Sequence, residues 1–132
     1  MILALDTSAG ISVAVLSQEG ELLAARSSDQ ERSHAEQLAV LIEESLQEAG
    51  VSRAELTAVV VGAGPAPYTG LRVGLVTAAT LGFGLNIPVW GVSSLDALAE
   101  SAPADAADVV VVTDAKRKEV YTARYRRVAG EW

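Results

Sequence analysis

Two carboxylates close apolar runs. Asp6 ends MILALD and is followed at once by Thr7 and Ser8, and Asp114 ends DVVVVTD. A carboxylate at a strand end, beside hydroxyls and backbone N–H groups, is suited to hold a hydrated Mg²⁺ and to face a phosphate. Ligands collect at such ends in open α/β sheets. Asp6 with Asp114 would make a nuclease-like pair, but no third or fourth acidic residue sits at a comparable strand end. The same residues would equally shape turns through side-chain-to-backbone bonds, with Asp114-Ala115-Lys116-Arg117 as a charged hairpin tip. His34 is the sole histidine and there is no cysteine, so neither a multi-histidine nor a thiolate metal centre is available. No metal site is expected.

Between residues 62 and 74 runs GAGPAPYTGLRVG. A phosphate-binding Walker A loop requires GxxxxGK[ST]. Here Gly64 and Gly70 are six apart rather than five, and Leu71-Arg72 stands where Lys and a hydroxyl residue belong. Pro65 and Pro67 lack backbone donors, so the loop is stiff and reads as an anchor. Thr69 and Gly70 keep a weaker phosphate role, being near the free N–H groups of a helix start. Behind them Gly70, Gly74, Ala78 and Gly82 recur at intervals of four, one ridge of minimal side chains. Such a ridge admits a second helix at close range, by the logic of small-xxx-small packing. The protein's own helix or sheet would serve as well. Leu71, Val73, Leu75, Val76, Leu81 and Phe83 make the segment apolar nearly all round, which favours a partner.

The elements that must carry these residues follow from periodicity. MILALD (1–6), ISVAVLS (11–17) and ELLAARSS (21–28) read as an antiparallel meander with a tight turn at Glu19-Gly20. Ser33 with Glu36 forms a capping-box pattern, and Gly50 stops a helix over 34–49. AVVVG (58–62) reads as a strand buried on both faces. A helix over 69–84, a strand over 87–92, a short helix over 93–101, a buried strand over 108–114 and a more exposed strand over 118–127 complete the order βββαβαβαββ. That order predicts an α/β mixed sheet with flanking helices.

The 132 residues fit one domain. Half are hydrophobic but only 5% aromatic, so Ala, Val and Leu build the core. A net charge of −7 suits a stand-alone nucleic-acid binder poorly. Six of the ten basic residues (Lys116, Arg117, Lys118, Arg124, Arg126 and Arg127) gather late in the chain, to solvate a strand or to touch RNA. No secretory signal or membrane span is readable, so a cytoplasmic protein without membrane contact is expected. The run Val128–Trp132 sits in what reads as a hairpin, so truncation is expected.

ILALDTS, RSHAEQL, GAGPAPYTGLRVG and VTDAKRKEVY occur in an order that resembles the TsaB (YeaZ) family of tRNA threonylcarbamoyladenosine biosynthesis. The resemblance spans essentially the whole chain. It implies a ribonuclease-H-like, actin-like ATPase (ASKHA) N-terminal lobe over 1–132, with a second lobe missing. It also implies a non-catalytic paralogue of the glycoprotease-like TsaD enzyme, which pairs with TsaD through its first two helices or forms a homodimer in isolation. A TsaE-type ATPase joins that pair, and tRNA is met indirectly through the complex. By position the interface would comprise Ser33, His34, Gln37, Leu38, Leu41, Gly70, Arg72, Val73, Gly74, Thr77, Ala78 and Leu81. Asp6, Thr7, Ser8, Gly64, Thr69, Gly70 and Asp114 would line a degenerate nucleotide cleft. The histidine pair that holds the metal in TsaD-like enzymes is not matched, since His34 has no second histidine, and Ala66-Pro67 replaces the commoner Gly-Ser of the loop. No cofactor is expected beyond weak nucleotide binding at a complex interface. The alternative is a catalytically active member of the same superfamily, a glycoprotease-like metallopeptidase or a small-molecule kinase.

Overall fold

Alternating apolar residues near the N-terminus fold back on themselves because Ser17–Glu21 can turn tightly. Gly20 takes φ +87°, and Ser17 and Glu21 close the turn with an N–H···O bond of 2.9 Å. The computed structural model describes residues 1–29 and 34–132, with His34 described by its backbone alone. The expected Ser33–Glu36 capping box and the side chain of His34 therefore lie outside the described residues. The elements are β1 (Ile2–Asp6), β2 (Ile11–Leu16), β3 (Leu22–Ser28), α1 (His34–Ala49), β4 (Ala58–Gly62), α2 (Tyr68–Leu85), β5 (Val89–Val92), α3 (Ser94–Ala99), β6 (Asp108–Lys116) and β7 (Glu119–Arg126). A 3₁₀ turn at Arg53–Glu55 precedes β4. The order read from periodicity holds throughout.

Five strands form one mixed sheet in the order β3-β2-β1-β4-β5. The meander is antiparallel, and β4 joins β1 in parallel with Leu3 opposite Val59 and Leu5 opposite Val61. One face carries Leu3, Leu5, Val13, Val15, Ala24, Val59 and Val61, which pack with Leu38, Ile42 and Leu46 of α1 and Ala78 of α2 into a single core. Both long helices lie on that face. The strand β4 is consequently not buried on both sides as its sequence predicts: Val59 and Val61 are buried, whereas Ala58, Val60 and Gly62 are half-buried on the opposite face. That opposite face is a shallow apolar trough of about 420 Å³ lined by Ala4, Ala14, Ala25, Val60, Gly62 and Val92, among others.

The run DVVVVTD also departs from its reading as a buried strand. It leaves the main sheet and pairs with β7 in a separate two-stranded sheet. One side of this hairpin rests on α3, where Leu95, Ala99 and Val111 form a second small core with Tyr121 and Tyr125 beside it. Val110, Val112 and Val120 point outward and are exposed. A β-branched run without alternation cannot by itself say which valines are covered, because pairing partners decide it.

Candidate functional site

Asp6, Thr7, Ser8, Thr69, Gly70 and Asp114 all line one cleft of about 640 Å³ between the carboxyl end of β1, the start of α2 and the β6–β7 hairpin. Gly64 lies just behind it, its N–H donating to Ser94 Oγ at 3.3 Å. The sequence-predicted cleft residues are thus brought to one place, around a constellation that sequence reading missed in part.

Asp6 is the hub. Its Oδ1 accepts from Ser8 N–H at 2.7 Å and from Ser8 Oγ–H at 2.5 Å, an Asx-type turn that bends the chain between β1 and β2. Its Oδ2 accepts from Ser94 Oγ–H at 2.6 Å. Ser94 is buried at the first position of α3, and its N–H donates to Gly64 O at 2.8 Å. A side chain at Gly62 would strike this carboxylate, since a Cβ there would fall 1.8 Å from Asp6 Oδ2. Both carboxylate oxygens therefore have protein partners. The sequence hint was the doublet Ser93-Ser94. Ser93 caps α3, accepting from Leu95 N–H at 3.2 Å, which leaves the second serine without a capping task.

Thr7 does not face the cleft with its hydroxyl. It is 2% exposed and its hydroxyl is bonded to the backbone of α2, donating to Gly70 O at 2.7 Å. Thr69 is exposed on the cleft wall. Asp114 sits at the hairpin tip, where Oδ1 accepts from Lys116 N–H at 2.8 Å and Oδ2 lies 3.5 Å from Lys116 Nζ. The backbone bond from Lys116 holds the Asp114 carboxyl below its ordinary value. This is the charged-tip reading of that segment. Among the described residues no group of three or more His, Asp or Glu side chains is placed to hold a metal ion.

The ridge of small residues does not face outward. Gly74, Ala78 and Gly82 are buried against this chain's own sheet. A Cβ on Gly74 would stand 2.6 Å from Thr7 Oγ1, and one on Gly82 would stand 2.3 Å from Val89 Cγ2. The residues are small because the helix rides low on β1 and β5. Gly74 and Ala78 are therefore corrected from partner-facing to core positions, as is Leu38, which is fully buried. Leu41, Val73 and Leu81 are half-buried and also pack on the core. Gly70 is half-buried, with its carbonyl bonded to Thr7. Of the remaining expected interface residues, Arg72 is exposed, its guanidinium 5.6 Å from the ring centre of Tyr68, while Gln37 and Thr77 are half-buried.

On the side of α2 away from the sheet a different stripe appears. Tyr68, Val76 and Phe83 are exposed, Phe83 to 92%, and Val40 of α1 is exposed as well. Residues 68, 72, 76 and 83 share one face of a helix with 3.6 residues per turn. No helix is long and apolar enough to cross a membrane among the described residues.

Comparison with known proteins places this geometry. The family model for TsaD, tRNA N6-adenosine threonylcarbamoyltransferase, matches residues 21–132. A TsaB protein of Bacillus subtilis, named for tRNA threonylcarbamoyladenosine biosynthesis, is 32% identical over 125 residues, covering 95% of this chain and 55% of its own length. An uncharacterized protein of Mycobacterium tuberculosis is 44% identical over 126 residues, covering 94% of this chain and 58% of that protein. The structure of YeaZ from Pseudomonas aeruginosa superposes with a TM-score of 0.88 at 37% identity, over 98% of this chain and 62% of that one. The chain thus spans little more than half the length of these relatives.

Proposed function

The chain belongs to the TsaB/YeaZ family, and from that premise we propose that it is a non-catalytic scaffold or activator subunit in tRNA threonylcarbamoyladenosine biosynthesis. It docks a TsaD-type enzyme, or a second copy of itself, through the outer faces of α2 and α1. A TsaE-type ATPase joins the pair, which transfers a threonylcarbamoyl group to the adenosine beside the anticodon. The observation that carries the docking role is the exposed stripe Tyr68, Val76 and Phe83 on α2, together with the exposed Val40 of α1. A phenylalanine exposed to 92% on a well-formed helix is the kind of anchor that gains most from a partner pocket. The non-catalytic reading is supported by the internal bonds that occupy both oxygens of Asp6 and the hydroxyl of Thr7.

The test is capture of a TsaD-type protein by wild type, Phe83→Glu and Val76→Glu, alongside light scattering for self-association. Each charge on the stripe is expected to weaken capture at least tenfold, about 1.4 kcal/mol, while circular dichroism and thermal midpoint stay near wild type because neither side chain is in the core. A strictly monomeric wild type that captures no TsaD-type protein would sink the proposal. The enzyme alternative draws on the 640 Å³ cleft. Titration calorimetry with ATP and Mg²⁺ addresses it, a micromolar signal favouring that second reading.

A further inference from the structure

The Thr7 hydroxyl is built into the backbone of α2. Oγ1 donates to Gly70 O at 2.7 Å and accepts from Gly74 N–H at 3.0 Å. Those are the two groups, four residues apart, that a regular helix joins to each other. The hydroxyl reaches them because position 74 has no side chain, a Cβ there being 2.6 Å from the oxygen. Two bonds from one atom just past the end of β1 to successive turns of a helix fix rotation and axial position together. A slip of one residue would carry Gly70 and Gly74 about 1.5 Å along the axis and about 100° around it, breaking both bonds. Tyr68, Val76 and Phe83 ride on the same helix.

We propose that Thr7 is a positioning residue that pins α2 to β1 and so sets how the outward stripe is presented to its partner. This rests on the docking role proposed above. Thr7→Val keeps the side-chain shape and removes the oxygen, while Thr7→Ser keeps the oxygen. Thr7→Val is expected to weaken capture of a TsaD-type protein about tenfold and to speed hydrogen exchange at the Gly74 amide by a similar factor. Thr7→Ser should stay within about twofold of wild type in both. Gly74→Ala presses on the same oxygen from the helix side and should reproduce the valine result, so it carries the test if Thr7→Val does not fold. A folded Thr7→Val that binds like wild type, or a serine variant as weak as valine, overturns the proposal. If Phe83→Glu abolishes capture and Thr7→Val does not, the positioning role alone falls. If Phe83→Glu leaves capture intact, the docking role fails and this inference falls with it.

Discussion

Replacing Gly82 by alanine would set a methyl group 2.3 Å from Val89 Cγ2 and 3.1 Å from Ile87 O, whereas Gly84, two residues on, has nothing within 4 Å of the same added atom. Alanine gains up to about 1 kcal/mol in helix propensity at either site. Overpacking against a stiff β-branched neighbour costs about 1–3 kcal/mol. Chemical denaturation should therefore show Gly84→Ala stabilised by about 0.5–1 kcal/mol and Gly82→Ala destabilised by about 1–2 kcal/mol. A second residue-scale effect concerns Tyr125, whose phenol donates to Asp96 Oδ1 at 2.5 Å. That bond raises the phenol above its ordinary value, so the folded chain holds the proton more tightly than the unfolded one. The stabilisation is complete below the unfolded pKa near about 10 and is lost as pH rises through the folded value. Ultraviolet difference titration of wild type against Tyr125→Phe should place this ionisation above pH 10, and Asp96→Asn should bring it down. Sequence reading identified Asp6 but not its partner Ser94, because 88 residues separate them and no local pattern reports so distant a contact.

Helix α2 ends where its chemistry says it must. Asn86 adopts φ +54°, its N–H donates to Phe83 O at 3.3 Å, and Ile87 N–H donates to Gly82 O at 3.0 Å. This is the Schellman arrangement, in which a left-handed residue lets the last carbonyls find donors. Asn86→Ala forces a Cβ-bearing residue without asparagine's tolerance into that region and should cost about 1 kcal/mol, while Asn86→Gly should be neutral or slightly stabilising. Thermal melts of the two variants separate the conformational effect from loss of the amide. At this scale the sequence was most informative. The stop at Gly50, with φ +66°, and all ten principal elements were legible, because caps and apolar periods are local signals. The direction of the glycine ridge was not legible. A period of about four residues says which positions share a face, and says nothing about what that face meets.

Across the whole molecule, α3 is the joint between its two sheets. Ser94 bonds Asp6 and Gly64 on the five-stranded side, and Leu95 and Ala99 lie under the β6–β7 hairpin. Ser94→Ala would leave Asp6 Oδ2 without its donor. Loss of a charge-assisted bond at a buried serine is expected to cost about 1–3 kcal/mol. Urea unfolding should show it as a lower midpoint, with the hairpin tyrosines and the core reporting the same transition if the joint is rigid. That the hairpin stands apart from the main sheet was hidden from sequence reading. Alternation along β6 is masked by four consecutive valines, Val109–Val112, and the choice of pairing partner is a long-range matter.

The parallel seam between β1 and β4 sets the tempo of assembly. Residues 2–28 can collapse into their meander through contacts close along the chain, but Leu3 meets Val59 only after the whole segment carrying α1 has been looped back. Closing so long a loop loses entropy before any contact repays it. One neighbour of β1 is thus close along the chain and the other, β4, is far from it. Until β4 arrives, the inner edge of β1 stays open to pairing with another chain.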